Sequence, residues 1–153
     1  MFSLLVGTVF ACVLGMCEGG DVLGCTCTVK STNLELGCKS DFIFKTQVIS
    51  GIKNDSIGLY YDIKKPSYGN IYKFNFKADV SKANEEKIYT AAINSCGVRL
   101  TKGTYVLSGS VDYKRNKNMG IGECSSWVER LPISKESNIL LNKFKQETVV
   151  CPV

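Results

Sequence analysis

The 153-residue chain contains no histidine. This absence excludes catalytic triads that use histidine as the base, and it excludes every metal site with an imidazole ligand. A zinc site built from four cysteines would need free thiolates, which disulfide-bonded cysteines cannot supply. We therefore expect that the protein is not an enzyme and that it binds no cofactor.

Long apolar runs are also scarce, and the longest lies at the N-terminus. The first sixteen residues, MFSLLVGTVFACVLGM, carry no charge, but a membrane-spanning helix needs about 20 apolar residues. The run has the length of a signal-peptide core, and Val22 and Gly24 fit the small-residue rule for cleavage before Cys25. Cleavage after Gly20 is the competing interpretation. The stretch Val-Leu-Gly-Cys also resembles a bacterial lipoprotein box, but Glu18 and Asp21 before the cysteine argue against that interpretation. The sequence predicts a signal peptide over residues 1–24 and a secreted, extracellular domain over residues 25–153, with no membrane span.

Removal of residues 1–24 changes both the charge and the cysteine content. It takes away two acids and no base, so the formal net charge of +5 becomes +7. It also takes away two of the eight cysteines, and the even number left in a secreted chain indicates a disulfide framework. Six cysteines allow fifteen pairings, among which spacing alone does not choose. The six are Cys25, Cys27, Cys38, Cys96, Cys124 and Cys151.

Apolar and polar residues alternate through the middle of the chain, which predicts a mainly β fold. In residues 71–78, Tyr72, Phe74, Phe76 and Ala78 would face the core, and the residues between them would face water. Further strands are expected over residues 42–49, 57–63, 104–111 and 118–123. Gly109 would mark a bulge or a close approach of two backbones.

The C-terminal part changes to a helical period. Ser134 would cap a helix that runs to about Gln146, with Ile139, Leu140 and Phe144 on its buried face. Trp127 is expected to pack beneath this helix. Five or six short strands followed by a helix favour a small closed or partly open barrel, and no repeat or linker divides the chain into further domains.

The sequence Cys25-Thr26-Cys27-Thr28 lies where the predicted mature chain begins. In the simpler interpretation, its two cysteines only form disulfide bonds that fix the N-terminus. The alternative depends on the cleavage site, because the α-amine and carbonyl oxygen of a first residue can form a five-membered chelate with a metal. A catalytic zinc in a metalloprotease keeps one position for water, and such a chelate could occupy that position.

Basic residues are spread over several predicted elements with acids among them. A solvated surface is the simpler interpretation, and attraction to sulfated glycans or other acidic matrix polymers is the alternative. Nucleic acid is not expected as a partner, because the chain shows no base-stacking motif. Asn54-Asp55-Ser56 is a sequon that predicts an N-glycosylation site on an exposed loop. The basic residues concerned are Lys64, Lys65, Lys73, Lys77, Lys82, Lys114, Arg115 and Lys117.

Three stretches together resemble the N-terminal, netrin-like domain of the tissue inhibitors of metalloproteinases. The opening C-T-C-T resembles the family's mature N-terminus, and YTAAINSCGV, residues 89–98, resembles its connector to a Cys-Gly pair. The stretch GTYVLSGSVD, residues 103–112, is similar to the family's best-marked strand. The order C-x-C, C, C-G, C, C with long gaps is the most specific part of the likeness, which covers nearly all of residues 25–151.

The resemblance implies a fold and a disulfide pairing. The fold is an OB-like, five-stranded, closed or partly open barrel with helices packed on it. The pairing is Cys25–Cys96, Cys27–Cys124 and Cys38–Cys151. The chain stops two residues after Cys151, which implies the short, single-domain form of the family.

The resemblance also implies an activity, the inhibition of zinc metalloendopeptidases of the matrix metalloproteinase or a related type. Cys25 would chelate the zinc of the target protease through its amine and carbonyl, and Thr26 would enter the adjacent substrate pocket. The other residues in the cleft would be Cys27, Thr28, Val29, Ala92, Ile93, Asn94 and Ser95. The competing hypothesis is a netrin-like module without inhibitory activity that binds matrix, glycan or a host protein.

Overall fold

The computed structural model describes residues 25–75, 86–113 and 118–152, and these residues are mainly β. Among them are two α-helices, α1 (Asn33–Lys39) and α2 (Lys135–Lys145). The strands are β1 (Phe42–Val48), β2 (Lys53–Asn54), β3 (Leu59–Asp62), β4 (Ile71–Phe74), β5 (Lys87–Thr90), β6 (Gly103–Asp112), β7 (Asn118–Ile121) and β8 (Val128–Arg130). The predicted mainly β fold is confirmed, while the predicted leader, residues 1–24, lies outside the described residues.

The strands form one sheet in the order β2-β3-β5-β7-β6-β1-β4, and β8 pairs with β6 outside this path. Every strand pair is antiparallel except β5 with β7, which is parallel. The path ends at β2 and β4, so the described strands form an open sheet and not a closed barrel. A single bridge between Val48 and Ile63 brings the end of β1 beside the end of β3.

Side chains of β1 alternate between two apolar clusters, one on each face of the sheet. Phe42 and Phe44 lie in the larger cluster with Tyr61, Ile88 and Leu107. Ile43 points the other way, into a cluster beneath α2 with Val106, Trp127, Leu141 and Phe144. Trp127 is 1% exposed there, which confirms its expected position under the helix.

The predicted faces of β4 are wrong in part, because its pairing with β1 is irregular. Phe42 lies opposite Phe74 and Ile43 opposite Lys73, but Phe44 lies opposite Ile71, so the register shifts between Ile43 and Phe44. Tyr72 consequently packs in the cluster beneath α2, while Phe74 packs in the larger cluster. A bulge of this kind turns two successive side chains to one face. The predicted core positions Phe76 and Ala78 lie outside the described residues.

Lys73, expected on the wet face, is half-buried on the side of the sheet that faces α1. Its ammonium donates hydrogen bonds to the carbonyl oxygens of Gly37 and Cys38, each at 2.9 Å. Burial lowers the pKa of this lysine, while the charge of Asp41 acts in the opposite direction. Lys73 thus ties β4 to the C-terminal end of α1.

The C-terminal helix is confirmed, with one correction to its buried face. Ser134 accepts a hydrogen bond from the backbone N–H of Ser137 at 3.0 Å and so caps α2 as expected. Leu141 and Phe144 are buried, but Ile139 is 48% exposed. Within the described ranges, no helix combines the length and the apolar character that crossing a membrane would require.

Helix α1 was not predicted, although the sequence carries its start signal. The Thr32 hydroxyl accepts a hydrogen bond from the backbone N–H of Glu35, and the Glu35 carboxylate accepts one from the backbone N–H of Thr32. This reciprocal capping box is visible in the sequence as Thr-x-x-Glu. The helix carries Cys38 and so positions the third disulfide.

Candidate functional site

Three disulfides join the segments on which the predicted site depends. The Cα–Cα distances are 4.8, 5.4 and 5.6 Å, which are usual for bridged cysteines. The pairs are Cys25–Cys96, Cys27–Cys124 and Cys38–Cys151. The pairing that the family resemblance implies is therefore confirmed, and three bridges fit an extracellular or otherwise oxidising compartment.

The first two bridges lie against each other. The Sγ of Cys25 is 3.4 Å from the Sγ of Cys124, so the N-terminal segment meets both the stretch ending at Cys96 and the segment after β7. The sulfurs of Cys25, Cys96 and Cys124 all lie within 4.8 Å of one another, as the ligands of a metal would. Because all three are disulfide-bonded, they offer no thiolate to a metal.

The first two bridges hold the N-terminal segment against the stretch that ends at Cys96. We call the surface they form the N-terminal ridge and define it as residues 25–29 together with the connector, residues 91–96. Thr26, Thr28 and Val29 are exposed, Val29 to 73%, while Cys25 and Cys27 are half-buried. On the connector, Ala92, Asn94 and Ser95 are exposed. Ile93 begins a 3-10 helix, Ile93–Ser95, between them. The structure thus brings together the two segments that the sequence analysis assigned to a protease cleft.

The connector is held by hydrogen bonds at its C-terminal end. The carbonyl oxygen of Ala92 accepts from the backbone N–H groups of Ser95 at 2.8 Å and Gly97 at 3.0 Å. The carbonyl oxygen of Cys96 accepts from the N–H of Glu123 at 3.0 Å. These bonds tie the connector to itself and to the segment that carries Cys124, so the bridged end of the ridge has a fixed shape.

The connector continues directly into the core. The backbone N–H of Val98 donates to the Thr90 hydroxyl at 2.8 Å, and the hydroxyl of the buried Tyr61 donates to the Val98 carbonyl oxygen at 3.0 Å. The Tyr61 oxygen also accepts from the N–H of Leu100 at 3.1 Å. Residues 90–100 therefore bend around one buried tyrosine, whose role the sequence analysis did not predict because it depends on a contact between residues nearly 40 positions apart.

A close approach at Gly97 explains why a glycine follows Cys96. A Cβ at this position would lie 1.9 Å from the carbonyl oxygen of Ala91 and 2.7 Å from its carbonyl carbon. Cys96 itself has a φ of 64°, in the left-handed region. The Cys-Gly pair thus allows the chain to fold back on the start of the connector.

A cavity of about 340 Å³ opens beside the connector and was also not predicted. It lies where β5 and β7 run parallel, Tyr89 opposite Gly120 and Thr90 opposite Ile121. Its lining includes Ala91 of the connector. This cavity forms a recess in the surface next to the connector.

The sequon at Asn54 lies on β2, an edge strand, and Asn54 is exposed. The next residue, Asp55, accepts hydrogen bonds from the Lys87 ammonium at 2.9 Å, the Ile57 N–H at 2.9 Å and the Tyr89 hydroxyl at 3.1 Å. The hydrogen bond from Lys87 is the main reason that the pKa of Asp55 falls to about 2. The hairpin that presents Asn54 is therefore anchored to β5 by a carboxylate that is ionised at any physiological pH.

We predict that Asn54 carries an N-glycan when the chain is expressed through a eukaryotic secretory pathway. The exposed edge position gives the modifying enzyme access to the side chain. Mass spectrometry before and after enzymatic deglycosylation should show the glycan on the wild type and on the Ser56→Thr variant, and not on Asn54→Gln. An unmodified Asn54 in the wild type, or a loss of mass on deglycosylation of Asn54→Gln as large as that of the wild type, would show the prediction to be wrong.

Comparison with known proteins adds no assignment. No protein-family model matches the chain, and no curated protein matches it significantly. The family resemblance accordingly stays a prediction from the motifs and the order of the cysteines.

Proposed function

We propose that the protein is a secreted inhibitor of zinc metalloendopeptidases that occupies the target's active-site cleft with its N-terminal ridge. The observation that carries the proposal is the position of Cys25. This residue is bridged to the end of the connector and lies against the Cys27–Cys124 bridge, at 3.4 Å between sulfurs. A residue clamped in this way is a suitable carrier for a rigid metal ligand.

The proposed mechanism requires that the leader is removed before Cys25. The α-amine and carbonyl oxygen of Cys25 then chelate the zinc of the protease and displace its water. That water is the nucleophile in peptide hydrolysis by zinc proteases, so its loss stops the reaction. The zinc belongs to the target, and the inhibitor supplies only the two ligand atoms.

The rest of the ridge would fill the cleft on both sides of the zinc. Thr26 enters the substrate pocket next to the metal, and Thr28 and Val29 continue along the cleft as a bound substrate does. The connector lies on the other side, through Ala92, Ile93, Asn94 and Ser95. Because two disulfides and the hydrogen bonds of the connector already order these segments, little conformational entropy is lost on docking, which favours tight binding.

We further propose that the sheet is OB-like. Five of its strands follow one another as β3-β5-β7-β6-β1. The bridge between Val48 and Ile63, with the hydrogen bond from the Ile49 N–H to the Asp62 carbonyl oxygen at 3.0 Å, links the last of these strands to the first. These contacts support a partly open, five-stranded barrel to which β2, β4 and β8 are added.

Titration of a panel of matrix metalloproteinase catalytic domains tests the proposed activity. The sample is oxidised protein that begins at Cys25, with its three bridges confirmed by peptide mapping. We expect stoichiometric inhibition of at least one protease. If none is inhibited although all three bridges are present, the inhibitor proposal is wrong and the binding-module hypothesis takes its place.

Inhibition should weaken as the pH falls, because only the neutral amine is a zinc ligand. An α-amino group has a reference pKa of about 8, so below that pH each further unit lowers the neutral fraction, and with it the affinity, by up to about tenfold. The inhibition constant is measured from pH 8.5 to pH 6. A small active-site inhibitor without an amine, measured in parallel, corrects for the titration of the protease. A corrected affinity that does not change over this range would contradict ligation by the amine.

A further inference from the structure

We propose a second binding site, for the sulfate groups of a sulfated polysaccharide, at a lysine-lined depression that shares no residue with the N-terminal ridge. The depression, here called the lysine pocket, lies between β1, residues 64–67 and the 3-10 helix Tyr68–Asn70. Its volume is about 250 Å³. It is lined by Lys45, Thr46, Gln47, Lys64, Lys65, Pro66, Ser67, Asn70 and Thr104.

The chemistry of this lining favours an anion. Three of the nine residues are lysines, five carry a neutral hydroxyl or amide, and none of these described residues has a carboxylate. Lysine ammonium groups donate hydrogen bonds and no side chain here carries a competing negative charge. A sulfate group, which only accepts hydrogen bonds, is the complement of such a surface.

The walls of the lysine pocket are fixed by hydrogen bonds. The Thr46 hydroxyl donates to the carbonyl oxygen of Lys64, and the N–H of Lys64 donates to the carbonyl oxygen of Gln47 at 2.8 Å. On the opposite wall, the Asn70 side-chain amide donates to the Ser67 hydroxyl at 2.9 Å. The backbone that carries the lysines is thus ordered before any ligand arrives, which lowers the cost of binding.

Two acidic residues lie in the lining of a neighbouring depression. Asp62 and Glu86 line a separate depression, into which Lys64 and Lys65 also reach. Asp62 forms an ion pair with Lys53, so its charge is already balanced there. The lining of the lysine pocket itself has three lysines and no carboxylate.

A polymer fits the surface better than a single ion does. Lys145 of α2 donates to the carbonyl oxygen of Gly69 at 3.0 Å, so a fourth cation lies on the 3-10 helix beside the pocket. At about 250 Å³ the pocket lies just below the usual range of small-molecule sites, roughly 300–1,000 Å³. One sulfated sugar would occupy the pocket, and the chain would continue over the exposed residues around it. The three disulfides favour an extracellular setting, where such polysaccharides occur.

The test is calorimetric titration of the disulfide-bonded protein with a heparin-derived octasaccharide. The pocket variant Lys45→Gln/Lys64→Gln/Lys65→Gln is compared with Lys30→Gln/Lys39→Gln/Lys135→Gln, which removes the same charge from residues that do not line the pocket. We expect the pocket variant to bind at least about tenfold more weakly, with a shallower dependence on salt, and the control variant to lose less than about threefold. The thermal midpoints of both variants are measured to confirm folding.

Three results would overturn the proposal: equal losses in the two variants, equal binding of the chemically desulfated octasaccharide, or equal binding of a DNA duplex of the same charge. Equal losses in the two variants would indicate that the whole surface attracts the polysaccharide diffusely. Equal binding of the desulfated octasaccharide or of DNA would indicate a site that does not recognise sulfate. Protease inhibition should be the same in the pocket variant and the wild type. The two proposed functions therefore succeed or fail separately.

Discussion

Addition of one alanine before Cys25 is expected to abolish the inhibition of any zinc metalloprotease that the protein inhibits. The extra residue converts the α-amine into an amide, whose nitrogen is not a zinc ligand, and it places additional atoms where the metal would lie. Loss of one of two chelating atoms together with this clash should weaken binding by about a thousandfold or more, or roughly 4 kcal/mol. The measurement is the inhibition constant of the extended and unextended proteins against the same catalytic domain.

A matched control carries the alanine after Val153, at the other end of the chain. This variant has the same mass and composition as the extended protein, and its inhibition constant should equal that of the wild type. Peptide mapping must show the Cys25–Cys96 and Cys27–Cys124 bridges in both variants, so that a folding defect is not taken for lost ligation. Inhibition by the extended protein within about threefold of the wild type, a difference of less than 1 kcal/mol, would mean that the ridge acts without the amine.

Elements with long, regular patterns were predictable from the sequence. Strands β1 and β6 and helix α2 were predicted within two residues of their observed ends, because each carries a clear period and α2 begins at the capping residue Ser134. Gly109 was expected at a bulge or a close approach, and a Cβ there would lie 2.1 Å from the carbonyl oxygen of Gly120. These features depend on local propensity and on spacing, which a single sequence contains.

Elements that depend on distant pairing were missed. Strand β5 pairs with β3 and β7, but no strand was predicted there, and only its last two residues fell within the stretch that resembles the family's connector. The faces of β4 were assigned from strict alternation, but its irregular pairing with β1 turned Tyr72 and Lys73 to the same side. Neither partner strand nor register can be obtained from the local sequence, since both are set by the tertiary fold.

The candidate site was predictable only in its parts. The Cys-x-Cys opening follows from the residues, but the connector and the choice among fifteen disulfide pairings depended on the family resemblance. The lysine pocket combines Lys45 on β1 with Lys64 and Lys65, and Lys45 was not among the basic residues that the sequence analysis singled out. Lys73 was singled out but is engaged with α1. The charge along the sequence therefore offered attraction to anions as one of two interpretations, without locating a site.

The close approach of Gly97 to the start of the connector yields the second large prediction. Replacing Gly97 with alanine places a Cβ 1.9 Å from the Ala91 carbonyl oxygen. The obstacle is backbone, so the connector must move. We expect the Gly97→Ala variant to form the three bridges, to lose about 1–3 kcal/mol of stability as overpacked sites do, and to inhibit at least about tenfold more weakly. Differential scanning calorimetry and the inhibition constant measure the two effects.

Gly51→Ala is the matched control for this substitution. Apart from Gly51 itself and its two chain neighbours, no described residue has an atom within 4 Å of a Cβ at Gly51, and its φ is not in the left-handed region, so the change should be neutral or slightly stabilising. If Gly97→Ala behaved like Gly51→Ala in both measurements, the connector would be able to yield without consequence, and its fixed shape could not explain inhibition. If stability fell while inhibition persisted, the connector would contribute to folding but not to the cleft contact. A parallel loss of both is the expected result, because the same carbonyl group that excludes a Cβ begins the segment proposed to face the protease.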